Sequence, residues 1–246
     1  RTFIINKMMG AYTVQALYVL FFGYFVGSSL ACSCMRIHPQ EAYCSADFAI
    51  LGRVISHVDT DKDDINRGHI IFTVKVIADY KGLGWAGQTK KIYTAPNSAL
   101  CGVYLQDSNN YILIGGFNKG DPFTGTFPGE GVPFIGLCGY NLEASRVPKA
   151  VMKGLEKLYK ANCKCEICRF PDDCKPGNCY LPAFTDTSCY DNAVCRRACK
   201  DSEGNTMCTW NLPRQWWKCV AQSNRCSVPG CPMFENDQLI DKPKEE

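Results

Sequence analysis

The residues best suited to metal chemistry lie in one short stretch, Cys-Ser-Cys-Met-Arg-Ile-His-Pro-Gln-Glu-Ala-Tyr-Cys, at positions 32–44. Ser29 and Ala31 precede it at the −3 and −1 positions of a signal-peptidase site, so cleavage would make Cys32 a new N-terminus. There the α-amine and the carbonyl oxygen of one residue would form a five-membered chelate with a metal ion. The reference pKa of such an amine is about 7.7–8.0, which leaves a neutral, metal-binding fraction near neutral pH. The alternative is that Cys32 is only the first cysteine of a disulfide framework.

Three other patterns could do chemistry, and each has a simpler structural explanation. The glycines of residues 82–87 match the G-x-G-x-x-G spacing of a dinucleotide site, but a strand-like stretch follows where that site needs a helix. The cysteines of residues 163–168 have near zinc-ligand spacing, which in an oxidised chain is more typical of disulfides. The four aspartates between His57 and His69 could bind a cation weakly, but a solvated hairpin loop explains them better.

Composition and missing motifs exclude several classes of protein. Cysteine makes up 17 of 246 residues, about 7%, which indicates an oxidising compartment. The 27 basic residues nearly balance the 24 acidic ones, so the chain lacks the strongly basic surface of a nucleic-acid binder. Neither H-E-x-x-H nor G-x-S-x-G occurs, and the three histidines are isolated in the sequence. We therefore predict that the protein is not an enzyme.

The N-terminal region has the layout of a cleaved secretory signal. Lys7 precedes an uncharged, largely apolar run over residues 8–31 that ends in the small residues before Cys32. The run is long enough for a transmembrane anchor to be the alternative. The cleavage site and the cysteines that follow favour a signal peptide over residues 1–31. We predict a secreted, extracellular protein without membrane insertion.

Two changes in sequence pattern divide the rest of the chain. Residues rich in β-branched and aromatic side chains, with turn residues between them, predict five strands at 48–58, 70–80, 91–95, 111–117 and 133–138. An apolar face formed by Val147, Val151, Leu155 and Leu158 predicts a helix over 148–161 that packs on the sheet. This order indicates a mainly β fold, a five-stranded OB-type Greek-key barrel with a packed helix.

The remaining sequence lacks this periodicity. Eleven cysteines follow Cys163 among prolines and glycines, in a segment with too few aliphatic residues to form an ordinary core. We predict a barrel domain over 32–162, a small disulfide-rich C-terminal domain over 163–236, called the cysteine-rich region below, and a polar tail over 237–246.

The stretch C-S-C-x3-H-P-Q-x-A-Y-C, followed by Ser-Ala-Asp-Phe at 45–48, closely resembles the mature N-terminus of the tissue inhibitors of metalloproteinases. The resemblance continues through Asp-Tyr-Lys-Gly at 79–82 and Leu-Cys-Gly at 100–102, and more loosely to Cys-Thr-Trp at 208–210. It therefore spans about residues 32–210. It implies a netrin-like N-terminal domain on an OB-type barrel, and disulfides that pair Cys32 with Cys101, Cys34 with Cys138, and Cys44 with Cys163.

The resemblance also implies a function. The protein would inhibit zinc metalloendopeptidases, with the free amine and carbonyl of Cys32 chelating the catalytic zinc of the target, and it would have no cofactor of its own. Matrix metalloproteinases or related metzincins would be bound one to one, with extracellular matrix as a further partner. The residues implied to form the inhibitory wedge are Cys32, Ser33, Cys34, Met35, Arg36, Ser98, Ala99 and Leu100. Ser33 would enter the primary specificity pocket of the protease.

Some features depart from the family pattern. Residues 97–99 lack the acidic residue often found there, and Arg36 places a charge on the wedge. The six cysteines assigned to the N-terminal domain leave eleven, an odd number, so one thiol is free or pairs with another chain. The extension from Cys219 to Cys231 has no family counterpart. The alternative function is a netrin-like extracellular matrix or interaction module that does not inhibit.

Overall fold

The computed structural model describes residues 32–60, 68–118, 131–170, 172, 174–175, 177–181, 187–200 and 206–211. These residues belong to one compact unit of the chain. The predicted signal peptide, the polar tail and the Cys219–Cys231 extension lie outside them, and the domain boundary at 162 stays a prediction. Among the described residues, no helix is both long enough and apolar enough to cross a membrane.

Five strands form the predicted closed barrel: β1 (Phe48–Asp59), β2 (Ile70–Asp79), β3 (Thr89–Thr94), β4 (Asn110–Phe117) and β5 (Pro133–Phe134). Their order is β1-β2-β3-β5-β4, and β4 pairs again with β1, which closes the sheet on itself. All neighbours are antiparallel except β3 and β5, which pair in parallel through Tyr93 and Phe134. The mainly β, OB-type fold class is thus confirmed.

The fifth strand is shorter than the predicted 133–138. It ends at Phe134, and the N–H of Gly139 donates to the carbonyl of Gly136, 3.0 Å away, in a turn that redirects the chain. The short strand β6 (Asn141–Glu143) then pairs with Tyr111–Leu113 of β4, on the edge opposite to β1.

The barrel interior follows the alternation of its strands. On β2, Phe72, Val74 and Val76 are buried while Lys75 and Ile77 are exposed, as a period of two requires. On β4 both faces are buried, because Tyr111 and Leu113 point into the barrel whereas alternate residues meet the helix outside it. The barrel core consists of eleven buried apolar side chains: Phe48, Ile50, Val54, Phe72, Val74, Val76, Ile92, Leu105, Tyr111, Leu113 and Ile135.

A second core lies between the barrel and the predicted helix, which is confirmed. The helix comprises α2 (Lys149–Lys153), a π-helical turn (Gly154–Leu158) and α3 (Tyr159–Asn162). Val151 and Leu155 lie on its buried face as predicted, and Val147, just before the helix, belongs to the same buried cluster. Tyr159 takes the place predicted for Leu158, which is only partly buried. The π turn explains the difference. In it the N–H of Tyr159 donates to the carbonyl of Gly154, five residues back, and this extra residue in the turn shifts the buried face of the helix by one position.

The cysteine-rich region contains short strands and few apolar side chains. In it, β7 (Ile167–Cys168) pairs with β8 (Cys179–Tyr180), and β9 (Val194–Lys200) pairs with β10 (Thr206–Asn211). Disulfides join Cys165 to Cys208, Cys168 to Cys174, and Cys179 to Cys195. Three cysteines, Cys165, Cys179 and Cys195, form one buried cluster, and Leu181, Ala193 and Val194 are also buried. The predicted disulfide-rich character is confirmed.

Candidate functional site

The N-terminal segment, residues 32–36, has no regular secondary structure and is held by two disulfides. One joins Cys32 to Cys101 and the other joins Cys34 to Cys138. The two bridges are adjacent, because the Sγ atom of Cys32 lies 3.8 Å from that of Cys34 and 3.9 Å from that of Cys138. Three stretches distant in sequence therefore meet at Cys32.

The disulfides set which side chains of this segment face outward. Cys32 and Cys34 are half-buried, whereas Ser33, Met35 and Arg36 are exposed. Met35 is 54% exposed, a large value for an apolar side chain at a fixed position. The segment thus presents a small hydroxyl, a flexible thioether and a guanidinium side by side.

The other residues implied for the wedge form a 3-10 turn, Ser98–Leu100, directly before Cys101. The side-chain oxygen of Asn97 caps this turn by accepting the N–H of Leu100 at 3.0 Å. Cys101 has a left-handed backbone (φ 65°), and the N–H of the following Gly102 donates to the carbonyl of Asn97 at 2.7 Å. A Cβ at position 102 would overlap the carbonyl oxygen of Ala95, so only glycine fits there.

The N-terminal segment, residues 32–36, and the Ser98–Leu100 turn are the two edges of one exposed surface, called the ridge below. Leu100 is 47% exposed, and Leu137, beside the second bridge, is 45% exposed. The N–H of Leu137 donates to the carbonyl of Cys101 at 2.8 Å, which ties both bridges together through the backbone. Exposed apolar side chains grouped on a rigid support are typical of a binding surface.

A pocket of about 350 Å³ lies at one side of the ridge, lined among others by Met35, Arg36, Leu137 and Tyr140. Burial raises the pKa of the Tyr140 phenol to about 12, with the nearby Asp191 adding to the shift and Arg36 opposing it. Tyr140 therefore stays neutral at physiological pH and contributes a largely buried phenol to the lining of the pocket.

The cysteine side chains near the ridge are poor metal ligands. Among the described residues, two groups of three sulfurs lie close together: Cys32, Cys101 and Cys138, and Cys165, Cys195 and Cys208. Every one of these sulfurs is in a disulfide, so none offers the thiolate that zinc prefers. Metal chemistry at Cys32 therefore requires its main-chain atoms, and its amine becomes free only when the bond to Ala31 is cut.

The His-Pro-Gln stretch after the ridge starts a helix and contacts the cysteine-rich region. His38 is the N-cap of α1 (Pro39–Ser45), and Cys44 in that helix is joined to Cys163. The Nδ1 atom of His38 accepts the N–H of Gln40 at 3.1 Å, so its Nε2–H donates to the carbonyl of Tyr190 at 2.9 Å. Burial lowers the pKa of His38 to about 4, which keeps the ring neutral.

Gln40 extends this contact. Its side-chain nitrogen donates to the carbonyl of Cys195 at 2.8 Å, and its side-chain oxygen accepts the N–H of the same residue at 2.9 Å. Glu41 forms an ion pair with Arg169 at 2.6 Å. In the structure His38 and Glu41 form a capping box at the start of α1, a role not predicted from the sequence because histidine is not a usual N-cap residue.

The glycine-rich loop at 82–87 has a structural role. Gly82, Gly84 and Gly87 have φ of 83°, 75° and 79°, and the strand β3 follows, not a helix. The pKa of the Asp79 carboxyl is lowered overall. Burial alone would raise it, but the hydrogen bonds that the carboxylate accepts from the backbone N–H groups of Trp85, Gly82 and Lys81 outweigh burial. Asp79 therefore anchors this loop as an ionised carboxylate.

Comparisons with known proteins agree with this geometry. The family model described as tissue inhibitor of metalloproteinase matches residues 30–211. Metalloproteinase inhibitor 2 of Cavia porcellus is 32% identical over 160 residues, which cover 63% of this chain and 68% of that protein. Metalloproteinase inhibitor 2 of Homo sapiens is 33% identical over 145 residues, covering 57% of this chain and 61% of that protein.

Metalloproteinase inhibitor 3 of Scyliorhinus torazame is 32% identical over 158 residues, which cover 63% of this chain and 64% of that protein. The chain thus spans less than two thirds of the length of the human and Scyliorhinus proteins. The family model itself matches well over half of the chain. The chain belongs to the tissue inhibitor of metalloproteinase family.

Proposed function

We propose that this protein is a secreted, extracellular inhibitor of zinc metalloendopeptidases that chelates the catalytic zinc of its target through Cys32. The observation that carries the proposal is the exposed ridge, in which two adjacent disulfides fix Cys32 beside the Ser98–Leu100 turn. Membership of the family and the printed names of the relatives support the same activity.

The proposed chemistry uses the main chain of Cys32. Catalytic zinc sites keep one position open for water or substrate. The α-amine and the carbonyl oxygen of Cys32 would displace that water and occupy the zinc as a chelate. The side chain would not take part, because its sulfur is bonded to Cys101. No scissile bond lies at the chelating position, so the target would not turn the inhibitor over.

The rest of the ridge would occupy the substrate cleft. Ser33 would enter the primary specificity pocket, and Met35 and Arg36 would follow the cleft as a substrate does. Ser98, Ala99 and Leu100 would contact the opposite wall. Because disulfides and backbone hydrogen bonds already hold both edges, little conformational entropy would be lost on binding.

Matrix metalloproteinases or related metzincins are the proposed partners, bound one to one. A single ridge with a single chelating terminus supports that stoichiometry. Secretion is supported by the six disulfides of the described residues, since such a density persists only in an oxidising compartment.

The test is a variant that carries one extra Ala before Cys32, compared with protein shown by N-terminal sequencing to start at Cys32. The added residue converts the primary amine to an amide, which does not chelate zinc, and it also collides with the metal site. We expect stoichiometric inhibition of a matrix metalloproteinase by the mature protein and none by the extended one. Peptide mapping of the disulfides is the control for folding.

Retained inhibition by the extended variant would contradict the chelation mechanism. No inhibition by the mature protein at micromolar concentration, with its disulfides formed, would instead favour a non-inhibitory netrin-like module of the extracellular matrix.

A further inference from the structure

The positive charge of Arg36 on the ridge is neutralised by a carboxylate of the cysteine-rich region. Its guanidinium forms an ion pair with the carboxylate of Asp191, a residue 155 positions away in the cysteine-rich region. The Arg36 side chain is 56% exposed, whereas that of Asp191 is only 6% exposed. The exposed guanidinium of the ridge is therefore paired with a carboxylate that is itself buried in the cysteine-rich region.

Asp191 belongs to a rigid support. It lies in the 3-10 helix Thr187–Asn192, next to Tyr190, whose carbonyl accepts the Nε2–H of His38. The ring of Trp210 packs edge-on against both Tyr190, at 5.3 Å, and His38, at 5.1 Å. Two consecutive residues of the cysteine-rich region thus hold Arg36 and His38 at the same time.

This support lies next to the disulfide-anchored part of the ridge. Cys34 is fixed by its bridge to Cys138, and His38 is fixed by its buried hydrogen bonds. Arg36 lies midway between these two anchors, and its side chain also lines the pocket beside the ridge. The ion pair therefore restricts the long Arg36 side chain, which would otherwise sample many rotamers and lose them on binding.

We propose that Asp191 is a positioning residue for inhibition, which acts by holding Arg36 in its place on the ridge. The inference rests on the proposed function and deepens it, because it gives the cysteine-rich region a part in binding the protease without contact to the zinc. The ridge then presents a neutralised, oriented ion pair to the target, and not a free cation.

A double-mutant cycle tests the inference. Asp191→Asn removes the charge and keeps the volume, and Arg36→Gln removes the other partner. We expect Asp191→Asn to raise the inhibition constant for a matrix metalloproteinase catalytic domain about tenfold, and to have no further effect in the Arg36→Gln background. A purely structural role for Asp191 would give the same loss in both backgrounds.

Glu41→Gln is the matched control. It breaks the Glu41–Arg169 ion pair, which also joins α1 to the cysteine-rich region but does not contact the ridge. We expect it to leave the inhibition constant within about twofold of wild type. The side-chain Nε–H resonance of Arg36, measured without protease, should shift in Asp191→Asn and stay unchanged in Glu41→Gln.

Two results would overturn the inference while leaving the proposed function intact. One is an inhibition constant of Asp191→Asn equal to that of wild type, and the other is an undiminished effect in the Arg36→Gln background. A wild-type protein that starts at Cys32 and does not inhibit would overturn the proposed function, and the inference with it.

Discussion

The barrel and the cysteine-rich region reach a fixed structure by different physical means. The barrel encloses eleven buried apolar side chains, nine of them from β1–β4 and two, Leu105 and Ile135, from the connecting segments. In the described part of the cysteine-rich region, one cluster consists of three buried cysteines with Ile167, Cys208 and Trp210 packed against them, and Leu181, Ala193 and Val194 are buried as well. In the first, burial of apolar area supplies the stability. In the second, cross-links restrict the unfolded chain and so substitute for a core.

This difference predicts unequal responses to the same perturbation. Loss of one large side chain should affect the barrel most, whereas loss of one disulfide should affect the cysteine-rich region most. The ridge contacts both regions, because its disulfides lie on the barrel side and the Asp191 that pairs with Arg36 lies in the cysteine-rich region.

The largest effect is expected from Phe72→Ala in the barrel core. Phe72 is fully buried, so the change should lower the free energy of unfolding by about 3–5 kcal/mol through lost burial and a cavity. Urea denaturation measures it. Ile77→Ala, on the same strand but 48% exposed, is the control and should cost less than about 1 kcal/mol. Equal costs for both would mean that the barrel core does not determine its stability.

The second-largest loss of unfolding free energy is expected when the buried disulfide is removed by the double substitution Cys179→Ala and Cys195→Ala. The bridge spans 16 residues, and the chain-entropy model gives about 3 kcal/mol for it. Hydrogen exchange should show faster opening of β9 and β10, with β1 and β2 as protected as before. Removal of the Cys168–Cys174 bridge, which spans 6 residues, is the comparison and should cost less. Barrel amides that exchange equally fast would contradict the separation of the two regions.

The pH dependence of stability should report on His38, which joins the two regions. Burial lowers its folded-state pKa to about 4 from the usual 6.5. The unfolded chain therefore binds the proton first, and stability is full above pH 6.5 and falls as the pH drops towards 4. We expect a loss of about 2 kcal/mol between pH 7 and pH 5.

His38→Asn provides the control, because Asn caps a helix but does not titrate. Its stability should be lower overall but nearly flat over the same pH interval. If its pH profile paralleled that of wild type, other groups would account for the dependence.

The smallest effect is expected in the core between barrel and helix. The Tyr159 hydroxyl is buried and has no hydrogen-bond partner among the described residues, and burial raises its pKa well above the usual value. Tyr159→Phe removes this desolvated hydroxyl and should raise the free energy of unfolding by about 1 kcal/mol. Tyr43→Phe is the contrast, because that hydroxyl donates to the carbonyl of Tyr80 at 2.8 Å and its loss should destabilise.

Much of the fold could be predicted because its signals are local. The β-branched and aromatic residues of 70–80 predicted a strand, and the spacing of Val147, Val151 and Leu155 predicted the helix. The replacement of Leu158 by Tyr159 could not be predicted, because it depends on a π turn at Gly154 that the side-chain pattern does not encode. The fifth strand was predicted too long, because apolar residues continue past Phe134 into a turn.

The residues of the candidate site were predicted from the family resemblance more than from physical reasoning on the sequence. Nothing local pairs Cys32 with Cys101, and only the resemblance implied the three bridges of Cys32, Cys34 and Cys44 that occur among the six of the described residues. The contact of Arg36 with Asp191 was not predicted, because residues so far apart in sequence carry no pattern that links them. Gln40 likewise finds both of its partners at Cys195 only after the two regions have folded together.

The long reach of the barrel-side disulfides has a consequence for the order of synthesis. Cys32, Cys34 and Cys44 pair with residues 69, 104 and 119 positions later. At about 5–20 residues per second, Cys163 is made about 6–24 s after Cys44. Any bond formed among the three early thiols in that interval is non-native and must be reshuffled by thiol–disulfide exchange. The first residues of the ridge therefore reach their final covalent form only after Cys138, which is made 104 residues after Cys34.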